Sequence, residues 1–250
     1  MKQKIFLMLS AAMLMLACAQ QPQPKPTYQR PASAEGDSTI YGLACDGCND
    51  TILIYLNDPY DGSDPDTLNI LDASRARQVF GAIRIGDKVA AVRDTADPKR
   101  ARLVIVTQDL LGQWCYKVKP TLKRRAGADV LSVEHFMEQM PDSLRGQLDA
   151  EREYGFTLKV DSVALPIGYR QAAADADAES PLEYPALKRY RQWYIRNGQL
   201  LLTEARPDSL GNATPAVTDT AELVMLTPDT LVLRFPSGEQ SYYRKQEAKE

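Results

Sequence analysis

The sequence predicts a mainly β protein with antiparallel sheets. From Thr39 onward, short β-branched and aromatic runs follow one another with a dominant period of two, which is typical of half-buried strands. Gly, Asp, Pro or Asn bounds each run, and Asn197-Gly198 and Pro236-Ser237-Gly238 have the composition of hairpin turns. Since crossover helices are missing between closely spaced runs, an antiparallel sandwich or barrel is favoured over a parallel sheet.

The chain begins with a segment that predicts a cleaved export signal over residues 1–17. Lys2 and Lys4 precede an apolar run at 5–17, which is too short for an ordinary transmembrane helix. The tripeptide Met15-Leu16-Ala17 before Cys18 resembles a bacterial lipobox. That resemblance implies that Cys18 becomes the first mature residue, carries diacylglycerol and is further acylated, for example with palmitate. The alternative is a secreted protein with a chance cysteine after its signal.

Residues 18–37 predict a tether between this anchor and the folded part. Prolines recur among polar residues here, a composition that favours an extended segment over a packed element. Two or more acyl chains suffice for stable membrane attachment. Because no Asp follows Cys18 directly, the sorting rules of such lipoproteins predict the outer membrane, and we expect the periplasmic face rather than the cell surface.

The remaining chain divides into two predicted β regions, a smaller domain at 38–109 and a barrel at 110–246. The strand-like runs of the first region are 51–56, 67–71, 78–85, 88–93 and 102–107. Those of the second region are 113–118, 154–160, 191–196, 199–203, 221–226, 230–235 and 240–244. A turn signal at 85–88 predicts a hairpin between two of the first runs.

One interruption of the strand pattern is helical. Between 129 and 150 the apolar residues recur every four positions, and Pro141 can begin a second helical piece within this insertion. We expect the stripe to pack against the barrel rather than to bind a partner helix. The Ala- and acid-rich segment 171–181 predicts a loop.

Two stretches of the chain carry family resemblances. Gly112-Gln113-Trp114 opening a strand, with Arg244 near the last strand, resembles the lipocalin-like domains of bacterial lipoproteins. The resemblance implies that Trp114 closes the base of the barrel and that Arg244 packs across its ring, a cation–π contact. The segment 41–56 is similar to the start of NlpE-type outer-membrane lipoproteins, which implies envelope-stress signalling or copper tolerance.

The cysteines supply the candidate reactive chemistry. Cys45 and Cys48 form a Cys-x-x-Cys motif, but a predicted strand follows it where thioredoxin-type chemistry needs a helix amino terminus. Metal binding is a second interpretation: the two thiolates suit Cu(I), whereas a closed tetrahedral zinc site needs four ligands and would have to add Cys115 and His135. The third is a structural disulfide, between the two or from one of them to Cys115, in an oxidising compartment.

Composition excludes some functions and narrows the others. With 30 basic and 33 acidic residues, the formal net charge of −3 makes nucleic acid an unsuitable partner. The sequence contains no phosphate-binding glycine loop, and His135 lies in no catalytic motif, so we expect no cofactor and no enzyme activity, with a hydrolase as the remote alternative. The leading hypothesis is a membrane-anchored barrel that binds a small apolar ligand or an envelope protein. A copper or thiol sensor using Cys45 and Cys48 is the second.

Overall fold

The computed structural model describes residues 36–122, 138, 140–168, 182–204 and 217–246, and strands dominate them. No helix in those ranges is long and apolar enough to cross a membrane. Up to residue 110 the elements are β1 (Thr39–Ala44), β2 (Ile52–Asn57), β3 (Asp66–Asn69), α1 (Leu71–Arg75), β4 (Val79–Phe80), β5 (Lys88–Arg93), β6 (Ala101–Val106) and α2 (Thr107–Leu110). After it they are β7 (Gly112–Val118), β8 (Thr121–Leu122), α3 (Asp142–Leu148), β9 (Arg152–Leu158), β10 (Ala164–Ile167), β11 (Leu182–Glu183), β12 (Tyr190–Arg196), β13 (Gln199–Glu204), β14 (Val217–Leu226), β15 (Thr230–Phe235) and β16 (Gly238–Arg244).

The first six strands form one sheet in the order β3-β2-β1-β5-β6-β4. In β5 and β6 the stretches 89–92 and 104–106 are apolar and buried, so both faces of the sheet are covered there. Val89 and Ala91 on β5 belong to a core formed within this sheet, whereas Ala90 between them packs into the core of the barrel. Ile105 on β6 joins Ala90 on the barrel side.

Eight strands form the second sheet, in the order β10-β9-β7-β16-β15-β14-β13-β12 with every neighbouring pair antiparallel. The two outermost strands approach each other through a bridge between Val163 and Gln192, and the Trp193 amide donates to the Ser162 carbonyl at 2.9 Å. These contacts curl the sheet into a nearly closed barrel. The remaining pair, β8 with β11, forms a small separate ribbon.

One end of the barrel, which we call the base, faces the first sheet. The β12–β13 turn at this end places Asn197 and Gly198 at positive φ, as a type I′ hairpin requires. The Asn197 amide donates to Asp37 and Thr39, and its side chain bonds Ser38 and the Gly36 carbonyl. Tyr41 donates its hydroxyl to the Ile195 carbonyl beside this turn.

The structure confirms the predicted fold class, a mainly β chain with an antiparallel barrel. Within that class, the prediction of a hairpin around 85–88 is wrong. β4 contains just two residues and pairs in parallel with β6, not with β5. Gly81 at φ +90° turns the chain out of the sheet. The Ala82 amide then donates to the carboxylate of Asp109 in α2, and not to a strand partner as it would in a longer β4.

Other predictions are met in part or concern residues that the structure does not describe. Within the predicted helical insertion, α3 begins directly after Pro141, whereas 129–137 lie outside the described residues. The signal segment 1–17, the tether up to residue 35 and the loop 171–181 also lie outside them. The boundaries between a domain at 38–109 and one at 110–246 stay a prediction.

Candidate functional site

Trp114 and Arg244 meet at the base of the barrel. The guanidinium carbon of Arg244 lies 4.1 Å from the centroid of the Trp114 ring, and β16 pairs with β7 at these two residues. The indole of Trp114 is fully buried and donates to the Leu110 carbonyl at 2.8 Å. Helix α2, which carries Leu110, is therefore tied directly to the first barrel strand.

Arg244 also binds three separate pieces of backbone. Its guanidinium donates to the Leu111 carbonyl at 2.5 Å, to the Asp109 carbonyl at 2.7 Å and to the Pro228 carbonyl. These carbonyls belong to the approach to β7 and to the turn between β14 and β15. A planar group with donors in a fixed fork can hold both segments while stacking on an aromatic ring.

The basal half of the interior is filled with apolar side chains. Strand alternation points every second residue inward, and the inward residues there are 0–3% exposed. They are Leu110, Trp114, Leu158, Ala164, Ile195, Leu200 and Leu231. An eight-stranded barrel is just wide enough for side chains to fill it or to hold one small ligand, and here they occupy the basal half.

The other half of the interior, toward the end we call distal, is lined by tyrosines. Tyr116 on β7 lies edge-on to Tyr242 on β16, with ring centroids 5.3 Å apart, and to Tyr154 on β9 at 6.4 Å. Phe156 contacts Tyr242 at 5.0 Å and Tyr190 on β12 at 5.9 Å. These five rings, which we call the aromatic cluster, lie on four different strands and form one continuous surface.

The phenols of the aromatic cluster are neutral donors. Burial is the main cause that raises the pKa of Tyr116, Tyr154, Tyr190 and Tyr242 above the ordinary tyrosine value. For Tyr190, its hydrogen bond to Asp219 and the charge of that carboxylate raise the pKa further. Among the described residues, the hydroxyls of Tyr116, Tyr154 and Tyr242 have no hydrogen-bond partner.

Two carboxylates lie on the same inner face at the distal end. Asp219 on β14 pairs with inward-facing Leu202 and accepts from the Tyr190 hydroxyl at 2.6 Å. Glu204, the last residue of β13, is 7% exposed, pairs with Tyr190 and accepts from the Arg189 amide at 3.3 Å. Sequence reasoning missed both, because they lie in parts of the strands beyond the apolar runs that it recognised.

The motif cysteines lie in the first sheet, in the turn between β1 and β2. Cys45 and Cys48 are half-buried free thiols. The Cys48 sulfur bonds both the amide and the carbonyl of Ile54 at 3.2 Å, so the motif leads into a strand, as expected, and not into a helix. Within the described ranges, no group of three or more His, Cys, Asp or Glu side chains could hold a metal ion. The disulfide and Cu(I) interpretations stay predictions.

The third mature cysteine lies on the barrel. Cys115 is a fully buried free thiol on β7, opposite Gly155 and Tyr243. Burial raises the pKa of this thiol, and the charge of Glu153 raises it further. Cys115 is therefore a poor nucleophile and a poor metal ligand at neutral pH. Cys18 and His135 lie outside the residues that the structure describes.

Comparisons with known proteins found one distant structural likeness. No protein-family model matches the chain, and no curated protein matches its sequence. Among solved structures, it is similar to a lipocalin-like protein from Bacteroides thetaiotaomicron, with 17% identity and a TM-score of 0.29 over 55% of this chain and 97% of that one. A likeness this distant carries no argument about function. The barrel is established by the strand pairings of this chain itself.

Proposed function

We propose that this chain is a lipid-anchored protein of the bacterial envelope whose barrel binds a small, largely apolar ligand in its distal half. The observation that carries the proposal is the aromatic cluster, in which the hydroxyls of Tyr116, Tyr154 and Tyr242 have no partner among the described residues. Ligand sites are mostly apolar, with a few converging polar groups that orient the bound molecule. The cluster has this composition.

A purely structural cluster would have a different arrangement of polar groups. Among the described residues, the one buried side-chain nitrogen or oxygen without a hydrogen-bond partner is Nε of Arg93, so the tyrosine hydroxyls are not sealed unpaired groups but donors open to water or to a bound molecule. Phenylalanine would fill the same apolar space at Tyr116 and Tyr242 but would offer no hydrogen-bond donor. Tyrosines at these positions are explained if a bound molecule supplies their hydrogen-bond partners.

The test compares binding by wild type with binding by matched Tyr→Phe variants. The full mature chain, with Cys18→Ser to prevent lipidation, is examined by native mass spectrometry for a co-purifying molecule and titrated calorimetrically with decanol. We expect saturable binding that the double variant Tyr116→Phe, Tyr242→Phe weakens by about tenfold, since two hydrogen bonds are lost. Tyr243→Phe, on the outer face of β16, is the control. Absence of both a co-purifying molecule and saturable decanol binding would refute the proposal.

The anchor and the location are parts of the same proposal. They rest on the lipobox-like residues before Cys18 and on the residue that follows it, which favour the periplasmic face of the outer membrane. An envelope protein is the alternative partner for the barrel. In that case, affinity capture from detergent-solubilised envelopes would recover a partner that Tyr116→Phe, Tyr242→Phe leaves bound, because a protein would contact the outer surface.

The copper or thiol sensor is a second candidate function. The observation that favours it is that Cys45 and Cys48 are both free and only half-buried within a single turn. It predicts Cu(I) binding by the wild type that the double variant Cys45→Ser, Cys48→Ser loses. Equal Cu(I) binding by the two proteins would exclude the sensor.

A further inference from the structure

The polar contacts of Asp219 use just one of its two carboxylate oxygens. Both the Tyr190 hydroxyl, at 2.6 Å, and the Lys188 ammonium, at 3.1 Å, bind Oδ2. Oδ1 has no polar partner among the described residues. An ionised carboxylate can accept about four hydrogen bonds, so Asp219 retains an acceptor beside the aromatic cluster.

The aromatic cluster lies next to this carboxylate, because Tyr190 donates to Asp219 and the Phe156 ring contacts both Tyr190 and Tyr242. The negative charge of Asp219 contributes to the raised pKa of both Tyr190 and Tyr242. Tyr242 and Tyr116 raise the pKa of Tyr190 further. The three phenols and Asp219 therefore share one region of the barrel interior. A molecule that contacts the rings there lies beside the free oxygen of Asp219.

The inner wall on this side of the barrel is acidic. Glu204 shares the inner face with Asp219, because their strand partners Tyr190 and Leu202 both point into the barrel. On the opposite wall the cation Arg152 lies against the Tyr184 ring, with its guanidinium carbon 3.6 Å from the ring centroid. An anionic head group placed against Asp219 would be repelled, whereas a cationic one would be attracted.

Lys188 shows that an ammonium fits beside Asp219. It approaches from the segment between β11 and β12, and its side chain is 53% exposed while that of Asp219 is 27% exposed. An ion pair with this exposure contributes little stability, and a lysine can turn its head group into solvent without losing its apolar contacts. The ammonium of a ligand could therefore replace the Lys188 ammonium beside the Asp219 carboxylate.

We propose that the ligand of the barrel is an organic cation, in which an apolar body lies against the aromatic cluster and an ammonium group donates to Oδ1 of Asp219. This inference rests on the proposed function and specifies the ligand class of the same site. Aromatic faces favour a cation as well as an apolar body, so the rings and the carboxylate select the same chemistry.

The test varies the head group on one apolar chain. Decylamine, decanol and decanoate are titrated calorimetrically at pH 7 into the full mature chain carrying Cys18→Ser. We expect decylamine to bind at least about tenfold more tightly than decanol, as a charge-assisted hydrogen bond adds to the same apolar contacts, and decanoate to bind most weakly. Tighter binding of decanoate or decanol than of decylamine refutes the inference but leaves the proposed function intact. Failure of all three to bind refutes the inference and, if no molecule co-purifies either, the proposed function as well.

Substitutions then assign the selectivity to Asp219. Asp219→Asn should reduce the preference for decylamine over decanol, the ratio of the two affinities in one protein, by about tenfold. Glu222→Gln is the matched control, because Glu222 lies on the outer face of the same strand and is paired with Arg234. Lys188→Gln should tighten decylamine binding, since the competing ammonium is removed. An unchanged head-group preference in Asp219→Asn would overturn the inference, and a cooperative thermal unfolding transition shows that this variant is folded.

Discussion

Replacing Arg244 with lysine tests how the base of the barrel is held. The substitution retains the positive charge above Trp114 but replaces a fork of donors with a single ammonium. In the structure the guanidinium donates to the carbonyls of Asp109, Leu111 and Pro228. The lysine side chain ends in one compact ammonium group, which can reach no more than one of these carbonyls. Two charge-assisted hydrogen bonds are therefore lost.

The expected destabilisation follows from those two bonds. A hydrogen bond to a charged group contributes about 1.5–3 kcal/mol, and the exposed side of Arg244 allows water to replace part of this, so we expect Arg244→Lys to lower the free energy of unfolding by about 2–3 kcal/mol. The control is Arg234→Lys on β15. Its ion pairs with Glu222 and Glu239 are about half exposed, and we expect a loss below about 1 kcal/mol.

The assay is equilibrium unfolding in urea followed by far-UV circular dichroism, for the two single variants and for a cycle that combines Arg244→Lys with Trp114→Phe. The cycle isolates the interaction between the two side chains, which we expect to be about 1 kcal/mol. If Arg244→Lys were no more destabilising than Arg234→Lys, the carbonyl contacts of Arg244 would not stabilise the base, and the reasoning would be refuted.

Three further predictions concern backbone packing, alkaline pH and the anchor. Gly155→Ala should destabilise the barrel by more than about 2 kcal/mol in thermal unfolding, because its new methyl group would overlap the Trp114 carbonyl, whereas Gly146→Ala in α3 meets open space and should stabilise by about 0.5–1 kcal/mol. Burial and the hydrogen bond to Glu153 raise the pKa of Tyr243 from 10.0 to about 12, so its contribution to stability is complete below pH 10.0 and is lost as the pH rises toward about 12. Tyrosinate absorbance recorded with circular dichroism checks this, and ionisation of Tyr243 below pH 10.0 in the folded chain, identified as the signal lost in Tyr243→Phe, would contradict it. Cys18→Ser should abolish incorporation of radiolabelled palmitate in a bacterial host, and continued labelling would contradict the anchor.

The strands that sequence reasoning placed well are those with strong local signals. β5 matches its predicted range at both ends, because its four inner residues are apolar and buried and a charged residue, Lys88 or Arg93, lies at each end. The β12–β13 hairpin was equally clear, since Asn197-Gly198 suits the positive φ of its turn. In contrast, β10 contains Pro166 and lacks an alternating pattern, so no local signal marked it as the strand that completes the barrel.

The candidate site had weaker local signals than the strands. The predicted strand at 221–226 omitted the first four residues of β14, which include Asp219, because Thr and Asp there interrupt the apolar run. One signal was present at Tyr116, which lies two residues after Trp114 and therefore shares its inward face. Applying the same alternation to Tyr242 and Arg244 would have placed both inside the barrel.

By itself, the sequence determined the secondary-structure class, the positions of the clearest strands and turns, and the prediction of a membrane anchor, because each depends on residues close together in the chain. Only the tertiary structure decided that Tyr116, Tyr190 and Tyr242 lie beside Asp219. These residues come from four strands of one barrel, and their proximity depends on strand order and register. Register is set by the packing of the whole interior, so no local pattern could have predicted that one oxygen of Asp219 would lack a partner among the described residues beside these phenols.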